Sequence, residues 1–483
     1  MSDFELQRKK RIEENERRLL SLGILDTKDA IDKASAKRKT VTASQRGLPK
    51  KRAVVPEAER RRSSRLKGDA ADGNEVTDEL PGGKVMTKVT EEVQADARER
   101  YPKDDIAFES MNATEEEDAS TLSALRQALG KPVGGKKKLP PTKSNGSITS
   151  LSLVESDVAK VTKAGTVHLS FMPGSNEVIA AADKKGGVGI WRVNAEERED
   201  SCDGVHVFAP HNQYVSGLVW GERSERQLFT ASYDGSVRRL DLEKGCFSLV
   251  HGDEDVEYSA MNVADNRVFL GTNTGYLDAI DVRCAPGANV VHSVHASLKK
   301  INTVDVDVNG ASHNLVCSGT DCTVKVFDTR KLLKVTTKPS ATKLYAPFLV
   351  GNHARACQGA YFAPDGSGRI LSTSFDDTVR IWDSRSARGG EMNDVISIKH
   401  DNNTGRWVFP FRAVWSADSS SVIIGNMKRY LDVYSVATGR LSCQGSAPEL
   451  MTAIPSRNCC SDDSTRIAAA TASGRVHVYT VGL

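Results

Sequence analysis

Between His400 and Trp415 the chain reads His-Asp-Asn-Asn-Thr-Gly-Arg-Trp-Val-Phe-Pro-Phe-Arg-Ala-Val-Trp, which sets guanidinium groups beside large aromatic rings in a polar stretch. That combination suits nucleic acid: the cation meets a phosphate while the ring stacks on a base or wedges into a base step. It equally suits a tryptophan, Trp407, that packs inside the fold. Arg406, Trp407 and Arg412 are candidate DNA contacts, joined by Arg355, Lys428 and Arg429, which lie in loops or near strand starts. A second kind of chemistry sits far upstream in Lys37-Arg38-Lys39, Lys50-Lys51-Arg52 and Arg60-Arg61-Arg62. Clusters separated by a short proline-containing spacer suit a nuclear import receptor and also DNA phosphates. The nucleus is the expected location. Ser63 and Ser64, flanked by arginines, could serve as a phosphorylation switch.

Catalysis finds no foothold. The sequence has no Gly-x-x-x-x-Gly-Lys-Ser/Thr loop, no Gly-x-Ser-x-Gly elbow and no His-Glu-x-x-His helix, so a binding protein, not an enzyme, is expected. The ten histidines are scattered; His168, His211, His295 and His353 fall where a structural histidine would precede a strand. Nine cysteines is an odd number, and none forms a Cys-x-x-Cys pair, so neither a disulfide framework nor a metal site is expected. Neither metal nor nucleotide cofactor is implied. No stretch approaches the ~20 apolar residues that cross a bilayer. The opening Met-Ser-Asp-Phe-Glu lacks a signal peptide's apolar core, so a reduced intracellular setting is expected.

Positioning these residues falls to a repeat. Seven times after Gly165 a turn, an alternating strand and a closing aromatic or large aliphatic residue recur, most clearly at Asp234–Leu240, Asp321–Phe327 and Asp376–Trp382. A period of roughly 40–55 residues built from short strands marks propeller blades, each of which buries its faces only in a ring. The closing residues are Trp191, Leu240, Ile280, Phe327, Trp382, Tyr434 and Tyr479. Each follows a small-residue strand such as Val178–Ala182 or Ile467–Thr471, expected to crowd the central channel, and farther upstream lies another strand, as at Val215–Trp220. The aspartates before the third strands have a turn-forming job. The expected fold is all-β: a seven-bladed WD-repeat propeller over residues 150–483, whose last blade is completed by a strand from Val154 to Val161.

Residues 1–149 read as a disordered arm. Phe4, Ile12, Leu19, Leu20 and Leu22 fall partly at helical spacing, predicting a short helix over about residues 3–25. The net charge of +3 conceals blocks: 20 Lys and Arg against 10 acids up to Gly68, then about three acids per base as far as Ala119. From Thr27 to Thr149 no period is sustained, and so little apolar surface cannot offset the ~1–2 kcal/mol per residue needed to order the backbone.

Asn402–Trp415, Val178–Trp191 and Ala472–Tyr479 resemble the changed-mutation-rate family of WD-repeat DNA damage-binding proteins, and Phe4–Leu25 and Arg61–Leu66 resemble that family's arm. The resemblance implies a nuclear, seven-bladed propeller that binds DNA with preference for ultraviolet-damaged duplexes. Counted back from Pro410, Gly405-Arg406-Trp407 is similar in position to a three-residue loop that the small subunit of the ultraviolet-damaged-DNA-binding complex inserts into the minor groove. Here Gly405 supplies no wedge, so insertion would rest on Trp407. Trp382-Asp383-Ser384-Arg385, echoed at Phe327–Arg330 and Ile280–Arg283, is similar to the box by which WD-repeat receptors dock on cullin-four ligase adaptors, making Asp383 and Arg385 candidate partner contacts.

Damaged duplex DNA is the expected ligand, with single strands a further candidate and a monomer the expected state. The alternatives are a scaffold or cullin-type ubiquitin-ligase receptor that meets chromatin indirectly, and a histone or RNA binder.

Overall fold

The computed structural model describes residues 100–108, 148–193, 204–221, 227–287, 289–310, 313–332, 344–385, 389–405 and 408–482. Within them, seven antiparallel meanders follow one another along the chain. Blade 1 is Thr166–Phe171, Val178–Asp183, Val188–Arg192 and Val205–Phe208; blade 2 is Val215–Trp220, Leu228–Ser232, Ser236–Asp241 and Cys246–Gly252. Blades 3, 4 and 5 begin at Tyr258, Ile301 and Cys357, and blade 6 at Val414. Blade 7 contributes Pro455–Cys460, Arg466–Thr471 and Arg475–Gly482. The expected closing residues all lie in third strands, in register with apolar partners: Ile179 faces Trp191, Ile370 faces Trp382, and Ile467 faces Tyr479.

The first strand of every blade, not the small-residue strand, is the innermost, because residues of all seven first strands or their approaches line one shared cavity. The small residues have another cause. Val178–Asp183 is buried on both faces. Ala180 and Ala182 pack with Val215 and Leu218 of blade 2, whereas Ile179 and Ala181 pack with Ala468 and Val476 of blade 7. A strand sandwiched between two blades must be thin on both sides.

Each turn between second and third strands carries one residue at positive φ. It is glycine in blades 1, 2, 3 and 7 (Gly186, Gly235, Gly275, Gly474), but Cys322, Asp377 and Arg429 in blades 4, 5 and 6. A Cβ on Gly235 would sit 2.0 Å from the Asp253 carbonyl oxygen, so that turn admits only glycine.

Blade 7 is completed from upstream, though by two segments. Val158–Lys160 pairs with Arg475–His477, as expected, but Glu155–Asp157 forms a 3-10 turn, and Ser150–Ser152 pairs separately with Thr480–Gly482. A closed ring leaves no blade without a neighbour.

The reading of residues 1–149 as a largely disordered arm with a short helix needs correction at residues 100–108. Ile106–Ala107 adds a fifth strand to blade 2 beside Cys246–Phe247. Phe108 is 2% exposed, its ring centroid 4.7 Å from that of Phe208 and 6.0 Å from that of Phe247. Tyr101 is buried against Gly252. Fully buried Arg238 donates to the carbonyl oxygens of Asp104 (3.0 Å), Phe247 (3.3 Å) and Pro102. Residues 100–108 are therefore a strap that covers the outer edge of blade 2. The expected helix near residues 3–25 and the basic clusters lie outside the described residues.

Two blades carry a buried polar relay beneath the turn. In blade 5, Trp382 Nε1 donates to Ser372 Oγ (2.7 Å), which lies 2.8 Å from His353 Nε2, while His353 Nδ1 is 2.9 Å from Asp376 Oδ2. Blade 2 repeats it with Thr230, His211 and Asp234. Burial alone would raise Asp234 and Asp376, but hydrogen bonds from histidine, serine and threonine outweigh it and hold both at about 2. A depressed carboxylate adds stability that is present above its unfolded value near 4 and is lost as pH falls through about 2. His353, lowered by burial, acts in the same direction below about pH 6.5. Urea unfolding at successive pH values should show stability falling from about pH 5 towards 2, with a shallower fall in Asp376→Asn. The relay answers the histidine expectation for His211 and His353. His295 instead stacks on Tyr276 at 4.6 Å, and His168 lies within an inner strand and faces the channel.

Candidate nucleic-acid interface

Antiparallel meanders send their connections alternately to opposite ends. The links between blades and the second-to-third turns therefore share one face of the ring, here the upper face; the first-to-second and third-to-outer turns share the lower. Arg355 lies in the link from blade 4 to blade 5, Arg412 in the link from blade 5 to blade 6, and Lys428 and Arg429 in the second-to-third turn of blade 6. These four candidates thus fall on the upper face. Arg406 and Trp407 lie outside the described residues.

The link carrying them is unusually long, occupying residues 400–413, whereas residues 353–356 suffice between blades 4 and 5. Its described ends are anchored. Asn402 donates to Ser374 O (2.8 Å), its backbone N–H donates to Asp377 Oδ1 (3.0 Å), and Phe411 is buried. Pro410 O accepts from Arg457, whose guanidinium lies 5.7 Å from the Phe409 ring centroid.

Around this link the upper face pairs cations with rings. Arg355 is exposed, donates to Phe375 O (2.9 Å) and lies 5.9 Å from the Phe375 ring centroid. Lys300 Nζ sits 5.2 Å from the centroid of Tyr233, which in turn lies 5.0 Å from Tyr214. Burial lowers Lys300 and pushes Tyr233 up to about 12. Lys184, Lys185, Lys299 and Lys428 are exposed on the same face. Arg429 is exposed and holds φ +68° where four other blades use glycine, with Nη1 3.2 Å from Thr452 O. A non-glycine residue at that φ carries backbone strain, as Cys322 and Asp377 do in the equivalent turns of blades 4 and 5.

Four acids of this face gather beside blade 2, while exposed Asp377, Asp401 and Glu449 stand in the turns and links of blades 5 to 7. Asp253, Glu254, Asp255 and Glu257 follow the outer strand of blade 2, where Arg100 meets Glu257 at 3.3 Å and Lys103 meets Glu254 at 3.1 Å. Sequence reasoning missed Tyr214, Tyr233, Lys299, Lys300, Phe375 and Arg457, because their meeting depends on the ring. Their only sequence signal is position, since each sits in a link or turn or begins an inner strand.

Asp383 and Arg385 stand on the lower face with their echoes. Arg283 and Arg330 pair with Asp281 (2.5 Å) and Asp328 (3.1 Å), but exposed Arg385 donates from Nη2 to Gly366 O (2.6 Å) while its N–H bonds Asp383 Oδ1 (2.8 Å). The partner candidates and the four described DNA candidates thus occupy opposite faces.

Among the described residues no group of three or more His, Cys, Asp or Glu is placed to hold a metal ion, every cysteine is a free thiol, and no helix is long and apolar enough to cross a membrane.

Fold and relay together define a seven-bladed WD-repeat β-propeller protein, and the WD domain, G-beta repeat model matches residues 350–383, the span that contains the complete relay of blade 5. Its homologues are more particular. The chain is 27% identical to WD repeat-containing protein 76 of Xenopus laevis over 99% of its own length and 80% of that protein. DNA damage-binding protein CMR1 of Scheffersomyces stipitis is 25% identical, with 99% of each chain covered. DNA damage-binding protein cmr1 of Neurospora crassa is 26% identical, with 99% of this chain and 98% of that protein covered.

Proposed function

We propose that this protein binds DNA in the nucleus through the upper face of its propeller, prefers ultraviolet-damaged duplexes, and works without catalysis. The observation that carries this reading is the set of cation–ring pairs around the channel mouth, Lys300 with Tyr233 and Arg355 with Phe375, beside a long anchored link. Phosphates supply most of the affinity for such a surface, while rings stack on bases that a lesion has already loosened. Unstacking an intact step costs a few kcal/mol, and damage removes part of that cost, so preference needs no lesion-specific contact. The names of the CMR1 relatives point the same way. The basic clusters containing Lys50, Lys51, Arg52, Arg60, Arg61 and Arg62 would direct import and add phosphate contacts.

Fluorescence anisotropy of the full chain on irradiated and intact duplexes at one salt concentration tests this. Irradiated DNA should bind at least about tenfold more tightly, a difference of about 1.4 kcal/mol. Arg406→Ala/Trp407→Ala should erase most of that difference. Equal affinity for both duplexes would reject damage preference. A second reading, docking on a ligase adaptor, has one observation in its favour: Arg385 is exposed on the face opposite the four described DNA candidates, with Nη2 on the Gly366 carbonyl oxygen.

A further inference from the structure

The central channel holds about 270 Å³ and is lined by residues from every blade. Two of them, Arg412 and Arg457, are guanidinium groups, and no carboxylate stands among the lining residues. Both are fixed by backbone carbonyls at the upper mouth. Arg457 is 5% exposed and donates from Nε to Val167 O (2.7 Å) and from Nη1 to Ser456 O (3.0 Å). Arg412 donates from Nη2 to Asn302 O (3.0 Å), while its buried Nε has no hydrogen-bond partner. Ser216, 2% exposed on the channel wall, likewise has an unpartnered hydroxyl. Two anchored cations, Arg457 buried and Arg412 half-buried, and a spare hydroxyl around one cavity make an anion receptor, since like charges in a partly desolvated cavity without a counter-charge are otherwise unfavourable.

We propose that the upper mouth of the channel binds a phosphate monoester between Arg412 and Arg457. Forked donors match a phosphate's several oxygens better than a lone carboxylate fills the same space. The channel is also larger than one phosphate, leaving room for an attached group beside Tyr361 and Asn302. The electrostatics agree. Burial first, and Arg412 second, bring Arg457 down to about 10. His168 is lowered well below its ordinary value by burial and by both arginines, and so stays neutral. An anion seated there would relieve the repulsion between the guanidinium groups. Two sources share this chemistry, a free nucleoside monophosphate and the terminal phosphate of a nucleic-acid strand. The site goes beyond the proposed DNA-binding rim: it shares Arg412 with the rim candidates, but Arg457 and Ser216 line the channel and do not require a bound duplex.

Thymidine 5′-monophosphate and thymidine, titrated into the full chain by calorimetry, test the proposal. The monophosphate should bind and thymidine should bind at least tenfold more weakly. Arg412→Gln should weaken the monophosphate at least tenfold, and Ser216→Ala, which leaves both arginines and the fold in place, should weaken it several-fold. Duplexes ending in 5′-phosphate or 5′-hydroxyl separate the sources: tighter binding of the phosphorylated end assigns the strand terminus, and equal binding assigns the free nucleotide. Arg355→Ala with Lys428→Ala should weaken duplex binding without affecting the monophosphate, which keeps failure of the rim distinct from failure of the channel. No binding of the monophosphate by the parent chain overturns the proposal. So does monophosphate binding that both Arg412→Gln and Ser216→Ala leave unchanged, or equal binding of a glutamate-rich peptide.

Discussion

Phe108→Ala should destabilise the whole propeller by about 3–5 kcal/mol in urea unfolding followed by tryptophan fluorescence. The ring fills a nearly closed space against Phe208 and Phe247, and its cluster reaches Trp220 and Leu240 of blade 2. Removing it forfeits both transfer energy and packing, because the surrounding β-meander cannot collapse far. A chain starting at Ile148 should fare at least as badly. It would leave Arg238, fully buried by its strap, without the carbonyls of Pro102 and Asp104. The same deletion would uncover the rings of Phe208 and Phe247, adding apolar exposure to the lost charge-assisted hydrogen bonds. A loss under about 1 kcal/mol for Phe108→Ala would mean that residues 100–108 rest on the ring without belonging to its core.

Replacing Arg355 and Lys428 with alanine and Arg429 with glycine should lower the salt dependence of DNA binding by about 2.7 in the slope of log K against log salt, at about 0.9 for each duplex phosphate left without its cation. Arg429→Gly is the informative member of the set. It removes a charge while relieving a positive φ, so thermal stability should hold or rise as affinity falls. Reduced binding from that variant therefore cannot be blamed on misfolding. Arg283→Ala/Arg330→Ala on the lower face removes the same kind of charge and should leave the slope unaltered. An equal change per cation removed from both sets would indicate that DNA senses only total charge and not one face.

The period of the repeat makes the propeller legible because its closing residues are large and its turns are marked by Asp or Gly. All seven, Trp191 through Tyr479, stand in third strands. What the sequence hides is anything that needs the ring to exist. Small residues at Val178–Ala182 suggest crowding around an axis, whereas the crowding comes from the flanking blades. Tyr101, Ile106 and Phe108 sit in an acid-rich stretch with too few apolar neighbours to form a pattern, and their partners come from blades 1 and 2, a hundred or more residues later. In Arg238-Arg239 two adjacent arginines on a strand must face opposite sides, which is the available hint that one is buried. The candidate cations Arg355, Arg412, Lys428 and Arg429 are spread along the chain, and topology puts them on one face. The tyrosines beside Lys300 give no warning, because an isolated aromatic in a link looks the same whether it packs or binds.

Seating of Ser150–Ser152 and Val158–Lys160 against Arg475–Gly482 has a temporal consequence. During synthesis the earlier segments emerge more than 300 residues before the strand that will hold them, as the 333-residue separation of Thr149 and Gly482 shows. At about 5–20 residues per second that is a wait of roughly 15–70 s, with a bare β-edge on the nascent chain. Assembly then ends in one long-range zipping event, so topology alone favours slow maturation and a need for chaperone cover until the final strand leaves the ribosome.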